Sequence, residues 1–343
     1  MAATRTSLPI TAGQLRELIN RVPRVRLAHA PTPLEELPRL ARALGGPRLF
    51  VKRDDLTGLA FGGNKVRNLE FRLAEALQAG ADTVIMCVDI LSNSARQTAA
   101  AATRCGLRTV LVLKGERPDH VTGNLLVDYL LGAEIIFAPD TTAQRRAVAE
   151  AVERLHREGR RPFVLNDSPM FAIAAALAYA EATLELLGQL QAQGIGPERL
   201  HLYISSTGKG QPALGLPVKV TGVAVHHTNG EARAWVARGV NDAAAFLGLD
   251  LHVAPDEIDN RDDYVGPGYG MPSGAGNEAM LLAARTEGLL LDPVYTAKAF
   301  AAIIDDVRCG QLGRDDTAVF VHTGGLPLLF NLAERIAPLV VPE

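Results

Sequence analysis

The chain has 343 residues, 48% of them hydrophobic, and a formal net charge of −3 at pH 7. This length allows one large domain or two medium domains, each with an apolar core. The sequence shows no basic stripe and no block of like charges, which argues against a nucleic-acid partner and against a disordered charged tail. Its start lacks an apolar signal-peptide core, and no apolar run approaches the roughly 20 residues of a membrane span, so we expect a cytoplasmic protein without a membrane partner.

The cysteines and histidines argue against disulfides and metal. Cys87 lies in an apolar run, Cys105 lies near a predicted helix end, and Cys309 stands apart from both, so buried free thiols are the preferred interpretation. The eight histidines show no ligand spacing. The adjacent pair His226 and His227 would face opposite sides of a strand. We therefore predict no metal.

Short apolar strands alternate with amphipathic helices along the chain. In chain order the pattern predicts helix 68–79, strand 83–88, helix 94–105, strand 109–113, helix 124–131, strand 134–138, helix 142–158, strand 162–165, helix 172–193 and strands 202–204, 218–225 and 318–321, with further helices beginning near residues 231, 277, 296 and 327.

This alternation is typical of an α/β fold with largely parallel sheets covered by helices on both faces. The units are too many for one small sheet, so we expect two αβα sandwich domains. A small domain would comprise residues 71–165, and a large domain residues 1–70 and 166–343. A barrel is the weaker alternative, because the helix lengths and loop insertions are irregular.

The segment LAFGGNKVRN, residues 59–68, places two glycines directly before Asn64 and Lys65. Gly62 and Gly63 permit a close backbone approach or a positive φ. Lys65 falls near a helix start, where the helix dipole disfavours its ammonium form. A lysine with a lowered pKa is a nucleophilic amine that can form an imine with an aldehyde. A solvated surface lysine is the alternative, and only agreement with the other loops favours the catalytic interpretation.

Two further loops follow strands and suit anions. Ser92, Asn93 and Ser94 open a predicted helix whose free N–H groups would accept a carboxylate or phosphate, although a simple N-cap explains them equally well. The segment SSTGKGQ, residues 205–211, combines glycines, hydroxyls and a lysine in a manner that suits a phosphate cradle. Its spacing is not that of a nucleotide P-loop, and a flexible turn is the alternative.

The fourth group contains three of the six tyrosines, in YVGPGYGMP (264–272) and DPVYTAKA (292–299), with HTGGLP (322–327) behind them. Tyr269 lies between glycines, which would leave its ring uncrowded. Tyr295 falls at a predicted helix start. Tyrosines packed at a surface turn are the alternative interpretation.

Together these segments resemble the pyridoxal-phosphate enzymes of the D-cysteine desulfhydrase and 1-aminocyclopropane-1-carboxylate deaminase family, which share the tryptophan-synthase-β-like fold called fold type II. The resemblance covers most of the chain. It is carried by PTPLEELPRLARALGG, VKRDDLTGLAFGGNKVRNLEF, NLLVDYLLGAEI, YVGPGYGMPSGAGNEAMLLAARTEGLLLDPVYTAKA and VFVHTGGLPLLF.

The resemblance implies a role for each candidate residue. Lys65 would hold pyridoxal 5'-phosphate through an imine and later move the α-proton. Asn93 would bind the 3-oxygen of the cofactor ring, Thr323 would face the ring nitrogen, and Tyr269 and Tyr295 would assist proton transfer or leaving-group departure. The substrate carboxylate would be bound by Ser92 and Ser94 with the helix N-terminus, beside Asn93 and Tyr269. The cofactor phosphate would be held by Ser206, Thr207, Gly208, Lys209 and Gly210.

Position 296 helps to choose within the family. The deaminases resemble DPVYEGK, whose glutamate keeps the ring nitrogen protonated, whereas Thr296 resembles the desulfhydrase pattern. A neutral partner makes the ring a weaker electron sink, which suits β-elimination. The resemblance therefore implies a lyase that removes the β-substituent of a small (D-)amino acid and yields pyruvate and ammonia.

Several segments depart from the family pattern. Leu91 and Ser94 replace a glutamine and a histidine, the phosphate loop reads STGKG, the segment from 211 to 218 is short for the usual helix, and NDSPMF (166–171) replaces a glycine-serine motif. These changes border the predicted pocket and indicate an altered, larger or more anionic substrate.

Alternative functions within fold type II are a deaminase-like ring opening, a β-replacement, a racemase and a dehydratase. A non-catalytic cofactor-binding homologue is a further alternative. A dinucleotide-dependent oxidoreductase is disfavoured, because no GxGxxG follows an early strand. The family pattern also implies a homodimer.

Overall fold

Two separate sheets organise the chain. The computed structural model describes residues 10–206, 218–226 and 228–341. Within these ranges the strands are β1 Leu34–Glu36, β2 Arg48–Lys52, β3 Thr83–Asp89, β4 Arg108–Lys114, β5 Glu134–Ala138, β6 Pro162–Val164, β7 Leu200–Ser206, β8 Lys219–Ala224, β9 Asn260–Arg261 and β10 Thr317–Val321. The α-helices are α1 Ala12–Asn20, α2 Pro38–Leu44, α3 Lys65–Gln78, α4 Asn93–Arg104, α5 Gly123–Leu130, α6 Thr141–Arg157, α7 Met170–Ala192, α8 Asn229–Phe246, α9 Gly274–Glu287, α10 Thr296–Arg308, α11 Leu328–Asn331 and α12 Ala333–Val340.

The larger sheet has the strand order β1-β2-β10-β7-β8-β9. Only β1 runs antiparallel to its neighbour, and the other pairs are parallel. In the register of the sheet, Val321 at the end of β10 stands beside Lys52 of β2 and Ile204 of β7. The loops that leave β10 and β7 therefore begin at the same edge of the sheet, which is where open parallel sheets bind ligands.

The smaller sheet is entirely parallel, with the order β5-β4-β3-β6. Asp89 and Lys114 are register partners at the carboxyl ends of β3 and β4. The loop after β3 leads directly into α4, so its serines and asparagine also lie at a carboxyl edge. The strands of this sheet fall between residues 83 and 164, whereas those of the larger sheet come from 34–52 and 200–321. The proposed domain limits stay a prediction.

Helix α7 is long and apolar, and it packs between α3 and α8. By length and composition it is the one helix of the described residues that could cross a membrane, but 61% of its apolar window is buried inside the fold. The expectation that no apolar run approaches the length of a span was therefore wrong for this segment. Its alanines and leucines are apolar because they contact other helices in the core.

Every strand and helix predicted from the pattern is present, with ends shifted by a few residues. The pattern missed α1, α2, β1, β2 and β9, which are short or lie before residue 68, where the pattern predicts no elements. Cys87, Cys105 and Cys309 form no disulfide within the described parts of the chain, but the expectation that they are buried was wrong: Cys87 and Cys105 are half-buried and Cys309 is exposed. Cys309 lies just after α10, where the chain turns into solvent.

Candidate active site

A cavity of about 280 Å³ lies where the carboxyl edges of the two sheets meet. It is bounded by residues at the ends of β3, β4 and β7, by residues that follow β8 and β10, and by the starts of α3 and α4. The cavity contains side chains from three of the four loops singled out in the sequence, and Ser205 from the fourth.

The two glycines before Lys65 are required by their surroundings. Gly62 and Gly63 have φ values of +63° and +124°. A Cβ on Gly62 would lie 1.8 Å from the carbonyl oxygen of Asp55, and one on Gly63 would lie 2.2 Å from the amide nitrogen of Gln97. Both the positive φ and the close approach predicted from the sequence are confirmed. The turn brings Lys65 to the first position of α3.

Lys65 lines the cavity, and its pKa is lowered from 10.5 to about 8. The larger cause is the loss of hydration on burial, and repulsion from the Arg72 guanidinium adds to it. The predicted direction is confirmed, but the main cause is burial rather than the helix dipole that we had invoked. A pKa near 8 leaves part of the amine unprotonated near neutral pH.

The residue before Lys65 is fixed on two sides. The Asn64 backbone N–H donates to the Thr323 carbonyl at 3.0 Å, and its side-chain amide donates to the Tyr179 hydroxyl at 2.5 Å. These bonds tie the start of α3 to the loop after β10 and to α7. The position of the Lys65 backbone is thereby set by two other elements.

The start of α4 presents Ser92, Asn93 and Ser94 to the cavity. Ser92 is the N-cap, and its hydroxyl accepts a hydrogen bond from the Ser94 N–H at 3.2 Å. The Asn93 side-chain oxygen accepts from the Asn124 amide at 3.0 Å and from the buried Arg96 guanidinium at 3.4 Å. The N-cap interpretation is therefore correct for Ser92, and all three residues still face the space in which an anion would bind.

Tyr269 and Tyr295 form a hydrogen-bonded pair at another wall of the cavity. Their hydroxyl oxygens are 2.5 Å apart, and their rings are 6.1 Å apart in an edge-on arrangement. The His226 ring lies 4.6 Å from the Tyr269 ring, so the expectation that this ring is uncrowded was wrong. Burial raises the pKa of both hydroxyls above its usual range, and both stay protonated at neutral pH.

A buried lysine on α10 forms hydrogen bonds with the loop that carries Tyr269. Lys298 in α10 donates from Nζ to the carbonyls of Val265 and Gly268, at 2.7 and 3.2 Å. Its side chain has no exposed surface, and burial lowers its pKa to about 8. This lysine fixes the loop and does not line the cavity.

Thr323 and Ser205 supply a pair of hydroxyls 3.0 Å apart at the edge of the larger sheet. Ser206, which was the predicted phosphate ligand, is buried at the end of β7 and does not line the cavity, whereas Ser205 does. The other predicted phosphate ligands, Thr207, Gly208, Lys209 and Gly210, lie outside the described residues.

Thr296 is the first residue of α10, and it is hydrogen-bonded to Asp292. Its hydroxyl donates to the Asp292 carboxylate at 2.6 Å, and the same carboxylate accepts the N–H groups of Val294, Tyr295 and Thr296. Thr296 is fully buried and does not line the cavity. The choice between desulfhydrase and deaminase that we based on position 296 therefore depends on the family resemblance alone.

The contacts of two residues that depart from the family pattern, Asn166 and Leu91, are described by the structure. The Asn166 side chain forms hydrogen bonds with both backbone groups of Cys87, at 2.8 and 3.0 Å, and so continues the pairing of β3 beyond the end of β6. Leu91 lies against Gly270, where an added Cβ would come within 3.0 Å of its side chain. Both residues stand beside groups that line the cavity.

Sequence reasoning missed several polar residues of the cavity wall, among them Asn68, Arg72, Asp89, Lys114, Tyr179 and His226. Two of them could have been found. Position 72 is two helical turns after Lys65, and Asp89 ends a predicted strand. Among the described residues, no group of three or more His, Cys, Asp or Glu side chains could hold a metal ion.

The donors in the cavity fit pyridoxal phosphate. Lys65 supplies an amine of lowered pKa, Asn93 an amide, Ser205 and Thr323 a hydroxyl pair, and Arg72 a buried cation. The aldehyde, ring substituents and phosphate of this cofactor need groups of these kinds.

Comparison with known proteins identifies the family. The family model for pyridoxal-phosphate dependent enzymes matches residues 25–324. The D-cysteine desulfhydrases of Salmonella typhi and Salmonella paratyphi B are each 39% identical over 325 residues, which cover 91% of this chain and 97% of theirs. A crystal structure of an ACC deaminase homologue matches with a TM-score of 0.82 and 33% identity, covering 95% of this chain and 99% of that one. The chain therefore belongs to the pyridoxal-phosphate-dependent enzymes and has their fold type II architecture.

Proposed function

We propose that this enzyme is a lyase that eliminates the α-proton and the β-substituent of a small amino acid, as a D-cysteine desulfhydrase does. For D-cysteine, the Cα–H and Cβ–S bonds break and hydrogen sulfide leaves. The remaining 2-aminopropenoate then takes up one water and gives pyruvate and ammonia. The observation that carries this proposal is that Lys65, the α4 N-terminus and the Tyr269–Tyr295 pair line one cavity.

Lys65 is proposed to hold the cofactor and to move the α-proton. Bound pyridoxal phosphate supplies the electron sink that makes this proton acidic. Burial keeps the pKa of the Lys65 amine near 8, which suits a group that must both accept and release a proton near neutral pH. The fixed position of Asn64 restricts the path along which this amine moves.

The α4 N-terminus is proposed to bind the substrate carboxylate. The Ser92 and Ser94 hydroxyls at the helix start can donate to an anion, and the helix dipole adds to the attraction. Asn93 is held by Asn124 and Arg96, so its amide is pre-oriented toward the cofactor ring oxygen. These contacts would orient the Cα–H bond of the substrate toward Lys65.

Tyr269 and Tyr295 are proposed to protonate the leaving group. Both hydroxyls have raised pKa values and are protonated, so one can donate while the other stabilises the developing charge through the bond that joins them. Thr323, with Ser205, is proposed to face the ring nitrogen. The phosphate cradle from Ser206 to Gly210 remains a prediction.

The test combines spectroscopy with product analysis. Lys65→Ala is expected to abolish the visible absorption band of the bound cofactor and all pyruvate formation. Lys219→Ala, at an exposed lysine of β8, is the matched control and is expected to retain both. Pyruvate is measured with D-cysteine, L-cysteine and β-chloro-D-alanine. A wild-type protein that binds the cofactor at Lys65 but forms no pyruvate from any of them refutes the proposal.

The match to an ACC deaminase homologue supports one alternative, ring opening of 1-aminocyclopropane-1-carboxylate. This reaction would yield 2-oxobutanoate instead of pyruvate, so the same product assay separates the two functions. A β-replacement enzyme would instead form a new amino acid when an external thiol is added. A cofactor-binding homologue without catalysis would show the absorption band and no product.

We further propose a homodimer that acts in the cytoplasm without nucleic-acid or membrane partners. In support, Leu126, Tyr129 and Leu130 are exposed on one face of α5, and α11, which packs against α5, exposes Phe330. Apolar side chains grouped in this way are typical of protein interfaces. Light scattering of the purified protein is expected to give twice the chain mass, and Leu130→Asp is expected to lower it. A monomeric wild type contradicts this proposal.

A further inference from the structure

Arg72 is a buried cation at the wall of the cavity. It lies seven residues after Lys65 on α3, which places both on one face of the helix, about 10.5 Å apart along its axis. Only 4% of its surface is exposed, and it lines the cavity together with Lys65 and Asn68. Helix side chains lean toward the N-terminus, so its guanidinium is directed back toward the space beside Lys65.

The guanidinium has few partners within the described parts of the chain. One nitrogen contacts the Met86 sulfur at 3.6 Å, a weak acceptor, and the group lies 4.3 Å from the centre of the Phe171 ring. Its Nε is buried without a hydrogen-bond partner there, and no carboxylate of these residues lies within ion-pair distance of it. Glu75 attracts it only from farther away.

Arg67 on the same helix shows one way in which this chain accommodates a buried arginine. It donates to the carboxylates of Asp54 and Glu185 and to the Thr32 hydroxyl. Arg72 lacks any such set, and burial lowers its pKa to about 9. Burying a charge without a counter-charge carries an uncompensated desolvation cost. An anion bound at Arg72 would offset this cost.

A second polar side chain, Asn68, lies at the same end of the cavity. The side-chain oxygen of Asn68 is buried and has no hydrogen-bond partner among the described residues. Asn68 lies between Lys65 and Arg72 on the helix and also lines the cavity. The oxygen only accepts hydrogen bonds, so it is the NH2 group of the same side chain that can donate to an oxyanion beside the guanidinium.

We propose that Arg72, assisted by Asn68, binds an oxyanion group, a phosphate or a carboxylate, that enters the cavity attached to the molecule held at Lys65. This group has two possible sources. It is either the phosphate of the cofactor or an acidic group on the side chain of the substrate. The inference rests on the proposed function, because both molecules occupy the cavity only if Lys65 holds the cofactor.

The first experiment tests the cofactor as the source. Holoenzyme carrying Arg72→Met is compared with wild type, Arg72→Lys and Arg24→Met, the last removing a buried arginine that is paired with Glu181 away from the cavity. If the cofactor phosphate is bound, Arg72→Met releases pyridoxal phosphate about 10- to 150-fold faster, the range for a charge-assisted hydrogen bond. The ³¹P resonance of the bound cofactor also shifts. Arg72→Lys restores most of the affinity, and Arg24→Met changes neither observable.

The second experiment tests the substrate as the source. The ratio of kcat/KM for O-phosphoserine to that for O-acetylserine is measured for both enantiomers. If Arg72 binds an acidic side chain, this ratio falls at least tenfold in Arg72→Met, while cofactor release stays at the wild-type rate. Unchanged cofactor release, ³¹P resonance and substrate ratio in Arg72→Met overturn the inference. Failure of the proposed function is distinguished by wild-type enzyme that forms no pyruvate, because release and resonance still report on Arg72.

Discussion

Gly62→Ala is expected to be severely destabilising, because the backbone and the space around Gly62 both exclude a side chain. Gly62 has φ +63° and ψ −170°, a region that residues with a Cβ adopt at a cost of about 1–3 kcal/mol. The new Cβ would also lie 1.8 Å from the Asp55 carbonyl oxygen, so backbone must move, and overpacking of this kind costs about 1–3 kcal/mol. The sum is about 2–6 kcal/mol, a large part of the roughly 5–15 kcal/mol that stabilises a typical domain.

The assay is urea unfolding of the holoenzyme followed by circular dichroism, together with the visible absorption of the cofactor. Gly188→Ala is the matched control, since Gly188 lies within α7 and its added Cβ would meet nothing within 4 Å. We expect this control to raise the free energy of unfolding by up to about 1 kcal/mol. A Gly62→Ala protein within about 0.5 kcal/mol of wild type, with unchanged absorption, would refute the reasoning about this turn.

Three further predictions concern the tyrosine pair and its support. Tyr295→Phe removes one hydroxyl of the pair and is expected to lower kcat by about 10²- to 10⁴-fold without changing the cofactor absorption, whereas wild-type kcat would exclude a role in proton transfer. Lys298→Met leaves the carbonyls of Val265 and Gly268 without their donor. Urea unfolding should show a free energy of unfolding lower by about 1–3 kcal/mol, and KM should rise. An unchanged KM would show that this lysine does not position the loop. The pKa of Lys298 is about 8 in the folded state and 10.5 when unfolded, so between these values the unfolded chain binds more protons and the free energy of unfolding should rise with pH, less steeply in Lys298→Met. Equal slopes for the two proteins would contradict the lowered pKa.

The fold was largely predictable because its strands are short apolar runs and its helices have regular apolar spacing. The missed strand β2 is as buried as the others, but charged residues follow it directly, so the segment resembled a loop. Helix α7 misled the membrane prediction for a related reason: composition cannot distinguish a helix surrounded by protein from one surrounded by lipid.

The site was predictable where local sequence determines local geometry. Gly62, Gly63 and Ser92 act through turns and caps that depend on neighbouring residues, and the structure shows those turns. Tyr179 and His226 could be assigned to the cavity only after elements distant in sequence were placed together, because a side chain that lines a cavity and a solvated one are identical in sequence. The expectation of an uncrowded ring for Tyr269 was wrong for the same reason, since His226 belongs to the distant segment that follows β8.

The two sides of the cavity are connected to the rest of the fold in different ways, which bears on how substrate specificity can change. Asn64 forms hydrogen bonds with the loop after β10 and with α7, so the side of the cavity proposed to hold the cofactor is tied to the core. Leu91 and Ser94, by contrast, belong to a loop and to the first turn of α4, and Leu91 touches the loop of Tyr269. If the proposed roles hold, we expect exchanges at these two positions to change substrate preference without disturbing the contacts of Asn64. New specificities are thus accessible to this scaffold by single replacements that preserve its basic chemistry.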